Sequence, residues 1–381
     1  MKCCTIRALT FLLIATTLSA CVANQPHKLA QTPSAWELVR SGRRAFDKGD
    51  LIRAEGAFDR ALVMQPAFAP ALAGKALVEG NRKHYRNAEV LLSQANKAAR
   101  TPEERMFLNL TWLRFHELQL HEPGLQETER QRIIADARIS FQTAQNLQPS
   151  STEANYRMAQ VYKAALEFQN ASAMFYRVLG NRESMGAIAR SEWDFLQRIL
   201  QLNPRTTTAR RIALSERLTW REVIALLTEE LRLHGHIARL RRGGQPSFKT
   251  PGEYALVSSG AASNDRSHPL GTMADIGIRG LERPGTLNPE RPMTRGVFAL
   301  VLEDILIKLA GDKRLPVKFI GRPSRFFDVR PDHYAYNAIM VATTLKLLHA
   351  TNPDEFGLLE PVTGIEALSA LQRLKGLLRL S

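Results

Sequence analysis

The sequence predicts an all-α protein, with a superhelix of helical hairpins followed by a second helical region that contains a long irregular loop. Three observations support this fold class. Apolar residues recur at the 3.6-residue period of an amphipathic helix through much of the chain. A set order of small and large residues repeats every 34 residues in the first half. A threonine-capped helix start occurs three times in the second half.

Charge is the main feature of the composition. The 381 residues, enough for two domains or one extended repeat array, include 52 Lys and Arg against 37 Asp and Glu, a net charge of +15. Such a surface favours anionic partners, which include nucleic acid, phospholipid, lipopolysaccharide and acidic wall polymers. Charge alone does not distinguish among these partners.

The N-terminus indicates export and narrows the choice. A short basic region at residues 2–7 precedes an apolar stretch at residues 8–20, which is too short to span a bilayer because a spanning helix needs roughly 20 residues. The stretch ends in Leu18-Ser19-Ala20-Cys21, which resembles a lipobox, where a bacterial signal peptide is cleaved before a cysteine that becomes acylated. We therefore expect residues 1–20 to be a signal peptide and Cys21 to carry lipid. The alternative is an ordinary secretory signal with an incidental cysteine.

The cysteines and the residues after Cys21 extend this prediction. Because Cys3 and Cys4 would leave with the signal, a cysteine nucleophile, a disulfide and a cysteine-based metal site are excluded. Export also argues against a nucleic-acid partner. Val22 stands where Gram-negative sorting rules would place Asp for the inner membrane, and this resemblance implies an outer-membrane protein facing the periplasm. Residues 21–34 are polar with two prolines and are expected to form a flexible tether.

A 34-residue pattern organises residues 35–204 into about four units. Small residues let two helices approach, an aromatic residue fills the gap between them, and a proline ends the second helix. The first unit places Gly42, Gly49, Ala54, Phe58, Ala61 and Pro66 at positions 8, 15, 20, 24, 27 and 32. The later units match with Ala76, Ala88, Leu92 and Ala95, then Ala137, Phe141, Ala144 and Pro149, then Ala159, Tyr162, Ala171 and Phe175. This pattern resembles the tetratricopeptide repeat (TPR), with an insertion near residues 121–130 of the third unit.

The TPR resemblance implies a concave groove lined by the first helix of each unit, in which a protein partner would bind. The residues expected to line it are Trp36, Arg43, Asp47, Asn81, Tyr156, Gln160 and Lys163. The alternative is that later helices of the same chain occupy the groove.

The second region, residues 205–381, opens with an arginine-rich segment and contains three related helix starts. Thr219 and Glu222 fit a capping box. Similar starts occur at Thr294 and Thr363, so the three threonines lie 75 and then 69 residues apart. The expected helices run to about Leu233, Leu309 and Leu378. Between the first two, residues 245–290 are rich in Gly, Pro and Ser and are expected to form a long loop with short elements.

Residues 326–339 read FFDVRPDHYAYNAI and are followed by a helix and then by Phe356-x4-Pro-Val-Thr-x2-Glu366. This order resembles an S-layer homology (SLH) module. Residues 326–378 cover one whole module, and Asp275-Ile276 with Thr294-Arg295 outlines a second. Of a further module, the first in chain order, only the helix that starts after Thr219 is recognisable. The resemblance implies a compact helical prism whose grooves bind anionic cell-wall polysaccharide.

In that family the arginine after the threonine contacts the acidic sugar, for which a planar guanidinium is suited. Only the second helix start has this arginine, as Arg295, while Trp220 and Gly364 occupy the equivalent positions of the other two. The expected polymer-binding residues are Thr294, Arg295, Asp328, His333 and Arg221. The alternative is structural, with Asp328 capping a turn and His333 packing between units.

The sequence shows none of the common motifs for catalysis or cofactor binding. The sequence contains no phosphate loop, dinucleotide glycine motif, zinc-helix motif or G-x-S-x-G elbow. His234 and His236 form a possible metal pair, but no third ligand lies nearby in the sequence. We therefore expect no cofactor, no metal and no catalytic residue.

These expectations combine into a non-catalytic envelope lipoprotein. It would tether the outer membrane to peptidoglycan or another anionic wall polymer, and its groove would hold a protein partner. One alternative is an assembly factor for a secreted or outer-membrane complex, with a purely structural SLH-like half. A wall-modifying enzyme or its regulator is a third possibility.

Overall fold

The computed structural model describes residues 33–180, 184–233, 235–237, 277–281, 288–312 and 314–380. These residues form α-helices, one short 3-10 helix and no strand, so the predicted all-α fold class is confirmed. Within them, no helix combines the length and the hydropathy needed to cross a bilayer. The expected signal peptide, Cys21, Asp275-Ile276, His234 and most of the loop at 245–290 lie outside the described residues.

The first eight helices pair into four hairpins, and the first helices of successive hairpins also pack together. Lys48, Gly49 and Asp50 separate the two helices of the first pair. The pairs are α1 (Ala35–Asp47) with α2 (Leu51–Met64), α3 (Ala69–Asn81) with α4 (Tyr85–Ala98), α5 (Pro102–Leu120) with α6 (Glu127–Leu147), and α7 (Thr152–Ala164) with α8 (Phe168–Val178). We call this part the repeat half.

The ring of Phe58 shows why small residues recur in the repeat half. A Cβ atom added at Gly42 would lie 2.6 Å from Cε1 of Phe58, and one added at Gly74 would lie 2.3 Å from the same atom. The buried ring on α2 therefore fills a space that glycines on α1 and α3 leave open. The pattern identified Gly42 and Phe58, but the equivalent role of Gly74 is visible only in the structure.

A ninth helix, α9 (Ser184–Leu202), joins the repeat half to the rest of the chain. It packs against α8 and also against the last helix of the protein, α14 (Gly364–Leu378). One hydrophobic core extends from the third hairpin through α9 into the last helices, whereas the first two hairpins have clusters of their own. The core is thus continuous across residue 204, where the two regions were expected to divide.

In the C-terminal half, residues 205–380, three helices start directly after the predicted threonine caps, whereas Thr207–Ala213 and Tyr336–Thr344 follow Thr206 and Ala335. Thr219, Thr294 and Thr363 are all N-caps, and the first and third form full capping boxes with Glu222 and Glu366. The first capped helix ends at Glu229, four residues before the expected end. The elements are α10 (Thr207–Ala213), α11 (Trp220–Glu229), α12 (Arg295–Ala310), the 3-10 helix (Leu315–Val317), α13 (Tyr336–Thr344) and α14.

The residues before the three threonines form a closed ring of backbone hydrogen bonds. The N–H of Leu218 donates to the carbonyl of Val362 (2.9 Å), the N–H of Val362 to that of Met293 (3.0 Å), and the N–H of Met293 to that of Leu218 (2.8 Å). All three side chains are fully buried. The three helix starts therefore meet at one point in an approximately threefold arrangement, which corresponds to the internal repeat of the sequence.

Candidate binding surfaces

Aromatic contacts join the helices at the N-terminal end of the expected groove. Trp36 on α1 packs edge-to-face against Phe68 before α3 (5.3 Å between ring centroids) and against Phe107 on α5 (5.9 Å). The first helix therefore contacts the third hairpin directly. Trp36, expected to line the groove, is partly buried in this contact.

Ion pairs connect α1 with two later helices across the concave face. Arg43 pairs with Glu153 on α7, and its guanidinium lies 5.8 Å from the ring centroid of Phe107. Asp47 pairs with Arg114 on α5. Two expected groove residues are thus brought together with partners that the sequence analysis did not identify.

Two arginines in this region retain unused hydrogen-bond donors. Nη1 of Arg114 and Nε of Arg157 are buried and have no hydrogen-bond partner among the described residues. Glu153 Oε1 is 3.9 Å from Nε of Arg157, which is too long for a hydrogen bond. Glu153 Oε1 is itself a buried acceptor without a hydrogen-bond partner, although it forms an ion pair with Arg43. A buried donor without a partner costs about 1–3 kcal/mol, so both arginine donors would gain from an acceptor within hydrogen-bond distance.

The pKa values show that this group of charges is largely removed from water. The pKa of Arg43 is lowered to about 10, first by burial and then by the positive charges of Arg157 and Arg114. Burial, and then Arg157, also lowers the pKa of Arg114. Burial raises the pKa of Glu117 and outweighs the opposing effect of nearby cations. We call Arg43, Arg114 and Arg157 the arginine cluster.

Of the remaining groove residues, Tyr156 borders the arginine cluster, since the guanidinium of Arg157 lies 5.6 Å from the centroid of its ring. The hydroxyl of Tyr156 accepts a hydrogen bond from Gln160 Nε2 (2.9 Å), and both residues lie on α7. Lys163 donates to Glu192 on α9 (2.6 Å). Asn81 is exposed at the end of α3. The insertion in the third unit obscured the register of α5, which explains why Arg114 was missed.

Arg295, the expected principal contact to a wall polymer, is buried, with 2% of its surface exposed. Its Nε donates to the carbonyl of Phe356 (3.1 Å), and its other nitrogens bind Glu366 and the carbonyl of His349. Its guanidinium also lies 4.8 Å from the centroid of the Phe356 ring. The expectation of direct polymer contact is not supported by this placement, because internal acceptors occupy the guanidinium.

Asp328 is also engaged internally. Its carboxylate accepts hydrogen bonds from the backbone N–H groups of Phe356 (2.9 Å), Gly357 (2.8 Å) and Leu358 (2.9 Å). Burial acts to raise the pKa of Asp328, but these hydrogen bonds outweigh it and hold the pKa below its ordinary value. The geometry matches the structural alternative, a capped turn. Thr294 caps α12 through the N–H of Val297.

The two positions equivalent to Arg295 are also enclosed, and the one at Gly364 has no room for any side chain. A Cβ atom at Gly364 would lie 1.8 Å from the carbonyl oxygen of Ile212, because α10 packs directly on the start of α14. The N–H of Gly364 donates to the carbonyl of Ser215 (2.8 Å). Trp220 is buried, and its N–H donates to the carbonyl of Arg291 (3.2 Å). Each helix start is therefore covered by a neighbouring segment.

Arg221 is the most exposed of the expected polymer contacts, and His333, like Thr294 and Asp328, is partly exposed. Arg221 is exposed and pairs with Glu290 (2.6 Å). His333 is partly exposed, stacks on Tyr334 (4.4 Å between centroids) and accepts a hydrogen bond from the N–H of Ala335 at Nδ1 (3.2 Å). Both remain accessible to a ligand.

A buried charged network in the C-terminal half was not predicted. Arg279 donates to Glu303 (2.8 Å) and to Asp304 (3.0 Å), two carboxylates on α12 that are each 1% exposed. The network fastens residues 277–281 to α12. In the described ranges, no three His, Cys, Asp or Glu side chains lie close enough to hold a metal ion.

Comparison with known proteins gives no relative. No protein-family model matches the chain, and no curated protein matches it significantly. Function is therefore inferred from the chain's own residues and contacts.

Proposed function

We propose that the protein is a non-catalytic, lipid-anchored adaptor of the cell envelope, whose concave repeat surface binds an acidic segment of a partner protein. The observation that carries this proposal is the arginine cluster, with two buried donors that lack acceptors. Carboxylates of a partner would accept those hydrogen bonds and offset the repulsion among the three cations.

The ion pair beside the cluster is partly open to solvent, whereas Nη1 of Arg114 and Nε of Arg157 are buried, so a partner's carboxylate reaches these two donors only when the Arg43–Glu153 pair opens. The side chains of Arg43 and Glu153 are 27% and 28% exposed, so an incoming carboxylate can reach the ion pair that joins α1 to α7. A hydrogen bond to a charged group contributes about 1.5–3 kcal/mol. Two such bonds would together contribute about 3–6 kcal/mol to the binding of a short acidic segment.

The C-terminal half has a structural role in this proposal. The groups through which it was expected to bind a polymer, above all Arg295 and Asp328, are satisfied internally. This arrangement favours the assembly-factor alternative over the wall tether. The anchor itself is proposed from the resemblance of residues 18–21 to a lipobox, with the outer membrane as its site.

The test measures binding of a fluorescent oligoglutamate peptide to the mature chain from Val22, which keeps every described residue. We expect Arg114→Gln and Arg157→Gln each to weaken binding about tenfold, as a lost charged hydrogen bond predicts. Arg86→Gln and Arg177→Gln are matched controls, because these arginines are exposed on the second helices α4 and α8. Equal affinity in all four variants would exclude the arginine cluster as the site.

A tether through Arg221 and His333 is the second candidate, because both side chains reach solvent. Sedimentation of the mature chain with peptidoglycan sacculi tests it directly. Pelleting that resists added salt and is lost in Arg221→Ala or His333→Ala would favour the tether over the adaptor. Pelleting that disappears with salt would indicate only diffuse basic attraction.

A further inference from the structure

Two loops of the C-terminal half expose an unusual number of large apolar side chains. Residues 314–334 connect α12 to α13, and residues 356–360 precede α14. The exposed fractions are 59% for Val317, 66% for Ile320, 74% for Phe327, 70% for Tyr334 and 81% for Leu359. In the same loops Leu315, Phe319, Phe326 and Val329 are buried, so the backbone is anchored while these five side chains face outward.

Hydrogen bonds fasten the two loops together. The N–H of Phe327 donates to the carbonyl of Asp354 (3.0 Å), and the next residue, Asp328, accepts from three N–H groups at 356–358. The hydroxyl of Tyr336 donates to the carbonyl of Arg322 (2.8 Å). Polar backbone groups are thus satisfied inside, which leaves Phe327 and Leu359 as apolar tips on adjoining loops.

Basic side chains accompany these apolar tips. The guanidinium of Arg325 lies 4.5 Å from the centroid of the buried Phe326 ring, and that of Arg322 lies 5.6 Å from the Phe319 ring. The acidic residues of 314–334 are engaged, Asp328 by backbone N–H groups and Asp332 by Arg330, and Glu360 beside Leu359 is an exposed carboxylate of the second loop. The exposed basic residues are Arg314, Lys318, Arg322, Arg325 and Arg330. We call these five residues and the five apolar tips the loop surface.

We propose that the loop surface inserts shallowly into the headgroup region of an anionic phospholipid bilayer. Single exposed apolar residues, such as Ile52 and Val63 on α2, are ordinary in soluble proteins. Aromatic and aliphatic tips set among Lys and Arg instead suit a bilayer interface, where acyl chains meet negative phosphates. The charge of the surface is complementary to that of the lipid.

The anchor of the proposed function would strengthen this contact, and the inference rests on that function only in this respect. The thirteen residues from 22 to 34 separate Cys21 from α1. A fully extended segment of that length spans at most about 45 Å. An anchored chain would therefore meet the bilayer at a high effective concentration, so that a weak surface contact is sufficient to orient the fold.

The test uses the unlipidated mature chain from Val22, so that the surface acts without the anchor. Its co-sedimentation with phosphatidylglycerol-containing vesicles is compared with that of pure phosphatidylcholine vesicles. We expect binding to the former and little to the latter. Because each basic residue near an anionic surface contributes a roughly fivefold gain in binding, Lys318→Gln with Arg325→Gln should reduce partitioning about 25-fold. Ile320→Ser with Phe327→Ser should reduce it about tenfold.

The controls are matched in exposure and chemistry. Ile52→Ser with Val63→Ser, and Arg86→Gln with Arg177→Gln, alter exposed residues of the repeat half and should leave partitioning unchanged. Absence of vesicle binding would overturn the proposal, as would equal loss in controls and loop variants. If vesicle binding is lost only in Lys318→Gln with Arg325→Gln, insertion of the apolar tips is excluded and the contact is electrostatic attraction to the lipid surface. Oligoglutamate binding is measured separately, so failure of either proposal is recognised independently.

Discussion

The repeat half and the C-terminal half are both helical, but their helices are held together over different distances along the chain. In the repeat half, each hairpin packs mainly on its neighbours, and the first two hairpins bury separate clusters. In the C-terminal half, helix starts that lie 69–75 residues apart are joined by a ring of backbone hydrogen bonds. The first arrangement resembles a one-dimensional stack, and the second is a closed assembly.

This difference predicts how far the effect of a destabilising substitution should extend through the fold. In a stack, a substitution disturbs its own unit and the adjacent ones, so that distant units keep their protection from hydrogen exchange. In a closed assembly that shares its core with α9 and the third hairpin, one poorly fitting residue opens contacts throughout. Substitutions of glycine test this contrast in both halves.

The largest effect is expected for Gly364→Ala, which acts on the closed half. Its Cβ would lie 1.8 Å from the backbone carbonyl oxygen of Ile212, an atom that cannot rotate away. We expect the free energy of unfolding to fall by about 3–4 kcal/mol, near the upper end for overpacking. Urea unfolding measures this loss, and hydrogen exchange should show weaker protection in α10 through α14.

Gly376→Ala is the control in the same helix, because nothing lies within 4 Å of the added Cβ. Alanine is a better helix former than glycine, so this variant should be as stable as the wild type or more stable by up to about 1 kcal/mol. Similar destabilisation in both variants would contradict the packing of α10 on α14.

A smaller and more local effect is expected for Gly74→Ala in the repeat half. Its Cβ would lie 2.3 Å from the ring of Phe58, which is buried but can shift with α2. We expect a loss of about 2 kcal/mol by thermal unfolding, with reduced hydrogen-exchange protection confined to α1–α4. Phe58→Leu in the same chain should recover part of the loss, because leucine leaves more room.

Gly56→Ala on α2 serves as the comparison, since its added Cβ meets no atom within 4 Å. Reduced protection that extends from Gly74→Ala into α11–α14 would show that the two halves are a single cooperative unit. That result would remove the contrast drawn between them.

The smallest effect concerns Asp328, whose pKa is lowered in the folded protein by backbone hydrogen bonds. A lowered folded pKa means that the ionised carboxylate stabilises the fold above the unfolded value, about 3.9, and that this stabilisation is lost as the pH falls below it. We expect Asp328→Asn to cost about 1 kcal/mol at pH 7 and progressively less below about pH 4. Urea unfolding of both proteins across pH 3–7 checks this. A difference that stays constant across that range would show that the carboxylate charge has no part in the cap.

Much of the local structure could be predicted. The breaks between hairpins and the caps at Thr219, Thr294 and Thr363 depend on residues within a few positions of each other, and the structure places them as expected. The role of Phe58 followed from its spacing to Gly42. The site residues were harder to predict from the sequence, because a polar side chain at a helix start has the same sequence context whether it faces solvent or another segment of the chain.

Local patterns in the sequence therefore predicted the threonine-capped helix starts, the hairpins of the repeat half and the small residues at which their helices meet, since each depends on period, capping or side-chain volume over a short range. Only the tertiary structure decided that Arg295 is enclosed by residues 349–366, that α10 covers Gly364, and that Arg114 and Arg157 gather beside Arg43. These features depend on segments tens of residues apart, where the free energy of burial and hydrogen bonding is set by packing rather than by local spacing.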